Sequence, residues 1–318
     1  MKNRNLIYLF LLTLISCKTS RIETDKKVEN NKVSLIILGT TQDGGSPHIG
    51  CNLKCCKELF NHPEKRRMVV SLGIVDKNYN QRFLFECTPD FPAQINKLNS
   101  ISDGYNSQMP DGILLTHAHI GHYSGLIYLG KEAKNSAQIK VYAMPRMKHF
   151  LENNGPWNQL VNNENILVER LMSDSVFQLN KNIKVRPILV PHRDEYSETV
   201  AFIIEGQNKK VLFVPDIDKW ERWDQSIISY LTEVDYAFID GTFYSGEEIN
   251  NRDLSTIPHP FIIESMNLFS KLSVVEKNKI YFIHFNHTNP ALNSSSKEYM
   301  EIIKNGFHIA KTDQVIKI

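Results

Sequence analysis

The chain contains 318 residues, of which 42% are hydrophobic and 23% charged, and its 37 lysines and arginines nearly balance 35 acidic residues. This composition excludes collagen-like, low-complexity and wholly disordered chains, and the length suffices for one large domain or two of average size. A net charge of +2 without a basic stripe gives no indication of a nucleic-acid partner.

The first segment of the chain has the plan of a secretory signal peptide. Two basic residues precede the ten-residue apolar run 6–15, which is too short to span a bilayer comfortably, and Cys17 follows. The ending Leu-Ile-Ser-Cys resembles the lipobox of bacterial lipoproteins, in which the signal is cut before a cysteine that receives lipid. The resemblance implies a signal peptide at 1–16, a lipidated Cys17 and a polar tether at 17–32, in a protein held on the extracytoplasmic side of the cell envelope by contact with a membrane. An amino-terminal helix with an incidental cysteine is the alternative.

From residue 33 onward, short β-type runs alternate with helical patterns. The predicted strands cover residues 33–38, 82–86, 112–115, 140–143, 183–190, 199–205, 210–214, 236–239 and 279–283. The predicted helices cover residues 92–98, 122–134, 145–153, 223–231, 260–272 and 294–304. Strands interleaved with helices favour an α/β fold in which helices cover the sheets. No linker interrupts residues 33–318, so we expect one domain there.

Three histidines follow the strand predicted at 112–115, in the sequence Thr-His-Ala-His-Ile-Gly-His. Residues two apart on an extended strand point the same way, so His117 and His119 can present both imidazoles to one point. His122 begins the predicted helix 122–134 and can face that point from the other side. Converging neutral imidazoles bind zinc well, whereas a cluster without metal would force mutual desolvation. A surface histidine cluster without a ligand is the alternative.

Three further residues of ligand type each follow an apolar run: His192, Asp216 and His284. Any one of them alone is as well explained by an ordinary cap or turn. Their recurrence at the same place relative to predicted strands indicates a shared site.

The order and spacing of these residues resemble the metallo-β-lactamase superfamily. The family pattern is His-x-His-x-Asp-His, then a single His, an Asp and a His, each after a strand. The resemblance covers the chain from about residue 33 to its carboxyl end and implies a catalytic domain with an αββα sandwich, in which two mixed sheets are flanked by helices. It assigns the first metal to His117, His119 and His192, the second to His122 and His284, and both to a bridging Asp216.

One position departs from the family pattern. Gly121 stands where the family has the aspartate ligand of the second metal, and glycine offers no side chain. We therefore expect one firmly held zinc and a second that is weak, completed by water, or absent. Asp43, Asp90 and Asp240 each lie close after a predicted strand and are candidates for the missing carboxylate.

Several segments also resemble the family of pyrroloquinoline quinone biosynthesis protein B. They are the Gly-rich segment 38–47, the turn 88–90, Asp-Gly-Thr-Phe at 240–243 and Thr-Asn-Pro at 288–290. Pro-His-Pro at 258–260 approximates another segment of that family, which makes His259 a candidate active-site acid or base. Members commonly lack part of the histidine motif found here, so the resemblance implies the architecture more directly than the pathway.

Three cysteines lie within six residues next to the Gly-rich loop. Thiolates of Cys51, Cys55 and Cys56 at this spacing suit a structural zinc. The His-x-x-His pair that ends at His287 resembles the cyclic phosphodiesterase PhnP of the phosphonate pathway, where a cysteine cluster and the second His hold structural zinc. The resemblance implies His287 as the fourth ligand. A Cys–Cys disulfide or free thiols are the alternatives.

The predicted mechanism follows from the metal. Zinc would lower the pKa of a bound water towards ~7, which generates hydroxide at neutral pH, and would polarise a carbonyl or phosphoryl oxygen. Asp216 would orient the hydroxide and receive its proton, while His259 or His284 would protonate the leaving group. We therefore predict a lipid-anchored zinc hydrolase acting on a small-molecule phosphodiester, ester or lactone. An iron-dependent oxygenase of the pyrroloquinoline quinone type and a non-catalytic metal-binding lipoprotein are the alternatives.

Overall fold

The computed structural model describes residues 32–102, 107–249, 253 and 256–318. The predicted signal peptide, Cys17 and all but the last residue of the predicted tether lie outside these ranges. The described residues form two seven-stranded sheets flanked by helices. None of the described helices combines the length and the apolar character needed to cross a membrane.

Strands are numbered in chain order. Those of the first sheet are β1 (Val33–Gly39), β2 (Ser71–Asp76), β3 (Gln81–Phe85), β4 (Gly112–Leu114), β5 (Ile139–Ala143), β6 (Ile166–Arg170) and β14 (Val315–Lys317). Those of the second are β7 (Phe177–Asn180), β8 (Ile183–Leu189), β9 (Val200–Glu205), β10 (Lys210–Val214), β11 (Tyr236–Asp240), β12 (Ile280–Ile283) and β13 (His308–Ile309).

Both sheets are mixed. The first has the order β14-β1-β2-β3-β4-β5-β6, with three antiparallel pairings followed by three parallel ones. The second has the order β13-β12-β11-β10-β9-β8-β7, with three parallel pairings followed by three antiparallel ones.

The described helices are mostly short. They are α1 (Lys54–Asn61), α2 (Phe91–Ile101), α3 (Ile120–Tyr123), α4 (Pro145–Asn153), α5 (Trp157–Asn162), α6 (Ile227–Glu233), α7 (Ile262–Leu268), α8 (Val274–Lys277) and α9 (Lys297–Lys304). Several connections form short 3₁₀-helices, among them Ser124–Leu129 and Gly246–Glu248.

Strand β1 shows why the chain forms layers. Successive side chains of a strand point to opposite faces of the sheet. Val33, Leu35 and Ile37 accordingly pack in the core between the two sheets, whereas Ile36 and Leu38 pack in a second core together with residues of α2, α4 and α5. A strand covered on both faces needs a continuous apolar run, which is what the sequence shows. The predicted αββα sandwich is therefore confirmed.

The helix predicted at 122–134 was wrong. The chain instead forms the single turn of α3 and then the 3₁₀ turn Ser124–Leu129. A Cβ atom on Gly125 would lie 2.1 Å from the carbonyl oxygen of Thr88, so this turn packs directly against the backbone that follows β3. Glycine permits that close approach and at the same time weakens the continuation of an α-helix.

Candidate metal centre

The sheet topology gathers the predicted ligands at one edge of the second sheet. Strands β10, β11 and β12 are parallel neighbours, with Val214 paired to Ile239 and Asp240 paired to Ile283. Because parallel strands end at the same edge, the residues that follow these strands meet there. Asp216 and His284 are two of them, and His117, after β4 of the facing sheet, lies 3.4 Å from the Asp216 carboxylate.

The four residues predicted to hold the first metal converge in the structure. One ligand atom from each of His117, His119, His192 and Asp216 lies within 4.8 Å of all the others. The two carboxylate oxygens of Asp216 are divided between neighbours: Oδ1 is 3.2 Å from Nε2 of His192, and Oδ2 is 3.4 Å from Nε2 of His117. Only His119 reaches solvent, with 15% of its side chain exposed.

Several of these buried atoms have no hydrogen-bond partner. They include Nε2 of His117, Nε2 of His192 and Oδ1 of Asp216. Leaving a buried polar atom unsatisfied costs about 1–3 kcal/mol. Imidazole nitrogens and a carboxylate oxygen that face one point are the donors that zinc and similar divalent ions prefer, so this donor set fits a metal ion.

The ring nitrogens that face away from the cluster are held by neighbouring side chains. The contacts are His117 Nδ1 to Thr116 Oγ1 at 2.9 Å, His192 Nδ1 to Asp218 Oδ1 at 3.1 Å, and His284 Nδ1 to Thr242 Oγ1 at 2.8 Å. Such partners fix the tautomer and orientation of a metal-binding histidine. We did not predict any of the three partners, although each lies within two residues of Asp216, Asp240 or a histidine of the motif.

A second group of ligand atoms adjoins the first. It comprises Asp216, Asp240, His259 and His284, whose ligand atoms all lie within 4.8 Å of one another. Nδ1 of His259 is 2.8 Å from Asp240 Oδ2 and 3.2 Å from Asp216 Oδ1. His284 adopts a positive φ of 66°, which is uncommon for a residue other than glycine and clusters at functional sites.

His122 lies beside this second group. Its Nε2 atom is 3.7 Å from Asp216 Oδ2 and 3.6 Å from Asp43 Oδ1, while its Nδ1 atom is 3.5 Å from Glu86 Oε1. Burial alone would lower the pKa of His122, but the carboxylates of Glu86, Asp43 and Asp216 raise it to about 8. Glu86 was not predicted as a site residue, although it ends the apolar run 82–86.

Burial and neighbouring charges together set the protonation of His117, His284 and Asp216. Burial lowers the pKa of His117 well below its ordinary value and lowers that of His284 to about 4, so both rings are neutral at pH 7, the state that binds a metal. Burial alone would raise the pKa of Asp216, but His192, His259 and His284 bring it well below its ordinary value. The centre therefore holds an ionised carboxylate among imidazoles.

The cysteine cluster forms a separate site near α1. One ligand atom from each of Cys51, Cys55, Cys56 and His287 lies within 4.8 Å of all the others. The Sγ atoms of Cys51 and Cys55 are 4.0 Å apart, and those of Cys55 and Cys56 are 3.9 Å apart, both about twice the S–S bond length of ~2.05 Å. Burial raises the pKa of the Cys56 thiol to about 12. The structure thus brings together the three cysteines and the histidine that were predicted as one site.

Comparison with known sequences agrees with this geometry. Residues 81–285 match the family described as beta-lactamase superfamily domain. Coenzyme PQQ synthesis protein B of Acinetobacter baylyi (strain ATCC 33305 / BD413 / ADP1) is 26% identical over 288 residues, which cover 82% of this chain and 92% of that protein. The protein of the same name from Acinetobacter baumannii (strain ACICU) is 22% identical over 300 residues, which cover 87% of this chain and 97% of that protein.

Solved structures share the fold. Zn(2+)-bound PqqB from Methylobacterium extorquens superposes with a TM-score of 0.73 at 19% identity and covers 90% of this chain and 100% of its own. A diphosphatase from the PhnP family superposes with a TM-score of 0.61 at 19% identity, and the match covers 89% of this chain and 96% of the diphosphatase. The predicted resemblances to the metallo-β-lactamase superfamily, to pyrroloquinoline quinone biosynthesis protein B and to PhnP are confirmed. Since 205 of its 318 residues lie in the family match and the sandwich is in place, the chain belongs to the beta-lactamase superfamily.

Proposed function

We propose that this chain is a metal-dependent hydrolase that cleaves a phosphodiester, ester or lactone bond in a small molecule. The proposal is carried by one observation, the convergence of buried ligand atoms without hydrogen-bond partners from His117, His192 and Asp216. When bound, a divalent metal would acidify a water molecule and polarise a carbonyl or phosphoryl oxygen of the substrate. The exposed edge of His119 leaves this centre open to solvent and substrate on one side.

Zinc is the metal we propose for this centre. Three imidazoles and one carboxylate are ligands that zinc prefers, and all four converge in the structure. The cysteine cluster with His287 would hold a second, structural zinc, because three thiols and one imidazole are a ligand set typical of structural zinc sites.

His259 is placed to donate a proton to the leaving group. Burial alone would lower its pKa, but Asp240 and Asp216 raise it well above its ordinary value, so the ring carries an extra proton at neutral pH. Since Nδ1 faces these two carboxylates, Nε2 is the nitrogen that can donate towards substrate. Asp216, held ionised, is the group that can accept a proton from the attacking water.

A cavity of about 240 Å³ next to His259 can receive the substrate. Gln42, Arg193 and Phe243 also line it, and the side chain of Arg193 is exposed at its edge. A guanidinium group pairs well with phosphate oxygens. Of the three bond types, a phosphodiester is therefore the one that the cavity favours.

The test is turnover by the zinc-loaded full-length chain of bis(4-nitrophenyl) phosphate, 4-nitrophenyl acetate and γ-butyrolactone. We expect His119→Ala to lower kcat by ~10²-fold or more, because the metal supplies several kcal/mol of transition-state stabilisation. His149→Ala, at an exposed position of α4, is the matched control and should retain the wild-type rate. Failure to turn over all three substrates, or full activity of His119→Ala, would refute the proposal.

A second function is a step in coenzyme PQQ synthesis, to which the names of the relatives refer, and we propose iron-dependent oxygenation as its chemistry. Imidazole and carboxylate ligands also suit iron. Metal analysis of the protein purified from cells separates the two functions, because the oxygenase requires iron in the centre and the hydrolase requires zinc. Metal bound without turnover of any kind would indicate a metal-binding protein that is not an enzyme.

The proposed place of action is the cell envelope, with the chain anchored by lipid on Cys17. The support is the short apolar segment that ends in Leu-Ile-Ser-Cys. Cys17→Ser should move the protein from the membrane fraction to the soluble or uncleaved precursor fraction, whereas Cys51→Ser should leave it in the membrane. Equal membrane retention of both variants would contradict the anchor.

A further inference from the structure

We infer that Asp43 supplies the carboxylate of a second metal site, which it forms with His122, His284 and the shared Asp216. The inference rests on the metal centre of the proposed function but not on its turnover. It concerns a residue that follows β1, far in sequence from the histidine motif.

Three buried histidine nitrogen atoms outside the first group of ligands lack hydrogen-bond partners: Nδ1 and Nε2 of His122 and Nε2 of His284, and both rings are fully buried. The two Nε2 atoms face the same oxygen, Oδ2 of Asp216, at 3.7 Å and 3.8 Å respectively. Two imidazoles on one carboxylate oxygen need either protons or a cation between them.

The hydrogen bonds around Thr242 decide this question for His284. The hydroxyl of Thr242 donates to Oδ1 of Asp240 at 2.7 Å, so its oxygen must accept the hydrogen bond from Nδ1 of His284 at 2.8 Å. Nδ1 is therefore the nitrogen that donates, and Nε2 is the nitrogen that faces Oδ2 of Asp216 at 3.8 Å without a hydrogen-bond partner. A cation between these two atoms would be coordinated by both.

Asp43 occupies the space next to Gly121. A Cβ atom on Gly121 would lie 2.1 Å from Oδ1 of Asp43 and 2.9 Å from its Cγ atom. The backbone N–H of Gly121 donates to the same Oδ1 at 3.1 Å, and this oxygen is 3.6 Å from Nε2 of His122. The carboxylate of Asp43 thus stands where a side chain at position 121 would begin.

The other two candidate carboxylates are already engaged. Asp90 pairs with Arg66 through one oxygen and accepts the N–H of Val69 at 2.9 Å through the other. Both oxygens of Asp240 accept hydrogen bonds, from three neighbouring residues in all. Asp43 has 26% of its side chain exposed and accepts one hydrogen bond, which leaves lone pairs for a metal.

The backbone fixes Asp43 relative to His284. The N–H of Gln42 donates to the carbonyl oxygen of Phe285 at 2.9 Å, and the N–H of Phe285 donates to the carbonyl oxygen of Thr40 at 2.9 Å. The segment after β1 and the segment after β12 therefore form one unit, and the carboxylate needs little ordering when a metal binds. Two carboxylates and two imidazoles suit zinc, manganese or iron.

The test counts zinc ions bound to the full-length chain after equilibrium dialysis at fixed free Zn²⁺. Asp43→Asn keeps the size of the side chain and the acceptor for Gly121 but removes the charge. We expect this variant to bind one zinc equivalent fewer than the wild type. Asp90→Asn is the control, because the carboxylate of Asp90 is already engaged by Arg66 and Val69. This variant should bind the same number of zinc ions as the wild type.

A double substitution makes the result specific. His122→Ala should bind one zinc equivalent fewer, as Asp43→Asn does. The double variant Asp43→Asn/His122→Ala should lose no more zinc than either single variant. A wild-type zinc count in Asp43→Asn would overturn the inference, and if that variant misfolds, a wild-type count in folded His122→Ala would overturn it too. Because the readout is metal content, a chain that loses the ion as expected but has no hydrolytic activity refutes the proposed function and leaves the inference intact.

Discussion

Replacing Asp218 by Asn tests whether the carboxylate behind His192 strengthens metal binding. Oδ1 of Asp218 accepts a hydrogen bond from Nδ1 of His192 at 3.1 Å, on the side of the ring opposite the cluster. Oδ2 accepts one from Arg222 at 3.0 Å, which holds the carboxylate in place. The substitution preserves the shape of the side chain and removes its charge, so the ring keeps its position while its nitrogen becomes a weaker donor.

We expect zinc affinity at this centre to fall by about 10–100-fold, or about 1.4–2.7 kcal/mol. A second effect acts in the opposite direction. Burial alone would lower the pKa of His192, but Asp216 and Asp218 raise it to about 9, so at pH 7 the metal must displace a proton. Removal of Asp218 lowers this pKa and makes the proton easier to displace. The loss of affinity should therefore be smaller at pH 7 than above pH 9.

The measurement is competition for zinc with a chromophoric chelator at both pH values. Asp224→Asn, the same substitution at an exposed position, is the control and should bind zinc as the wild type does. Affinities of Asp218→Asn within twofold of the wild type at both pH values would show that the contact with His192 does not contribute to metal binding.

Three more predictions concern other parts of the molecule. Cys55→Ser should cost one zinc equivalent and lower the Tm, and an unchanged zinc content would show that the cysteine cluster holds no metal. Burial raises the pKa of Glu248 from 4.5 to about 7, so the folded state binds more protons than the unfolded state between these values and stability falls as pH rises through them. Glu248→Gln should remove this slope, on the order of 1–3 kcal/mol, in denaturant unfolding at pH 5 and pH 8. Gly125→Ala should destabilise the fold by roughly 1–3 kcal/mol because its methyl group would meet the Thr88 carbonyl, and a Tm equal to that of the wild type would contradict the close approach.

The sandwich could be predicted because its central strands have strong local signals. Runs such as 33–38 and 210–214 are apolar on both faces, as strands between two layers must be. Strand β2 was not predicted, because Gly73 interrupts its apolar run; a Cβ there would lie 2.7 Å from Leu98 of α2. Strand β13, of two residues, depends on pairing with β12 and leaves no pattern of its own.

The residues of the first group could be identified because each lies within five residues of the end of a strand and their order resembles the family pattern. For the proposed second site, the sequence left the carboxylate open among Asp43, Asp90 and Asp240, since the choice depends on a contact between Asp43 and Gly121, 78 residues apart. Nothing local distinguishes Asp43 from Asp90 in the sequence. In the folded chain, Asp90 is engaged by Arg66 and Val69, whereas Asp43 accepts one hydrogen bond from Gly121. This difference arises from tertiary packing.

The loop between β1 and α1 connects the cysteine cluster with the proposed second metal site through a continuous series of contacts. Asp43 faces His122. The ring of His48 fills the space where a side chain on the next residue, Gly44, would lie. The same ring stacks on that of His287, with the ring centroids 4.5 Å apart. The two groups of candidate ligands therefore share one loop, and we expect disorder in that loop to weaken metal binding at both.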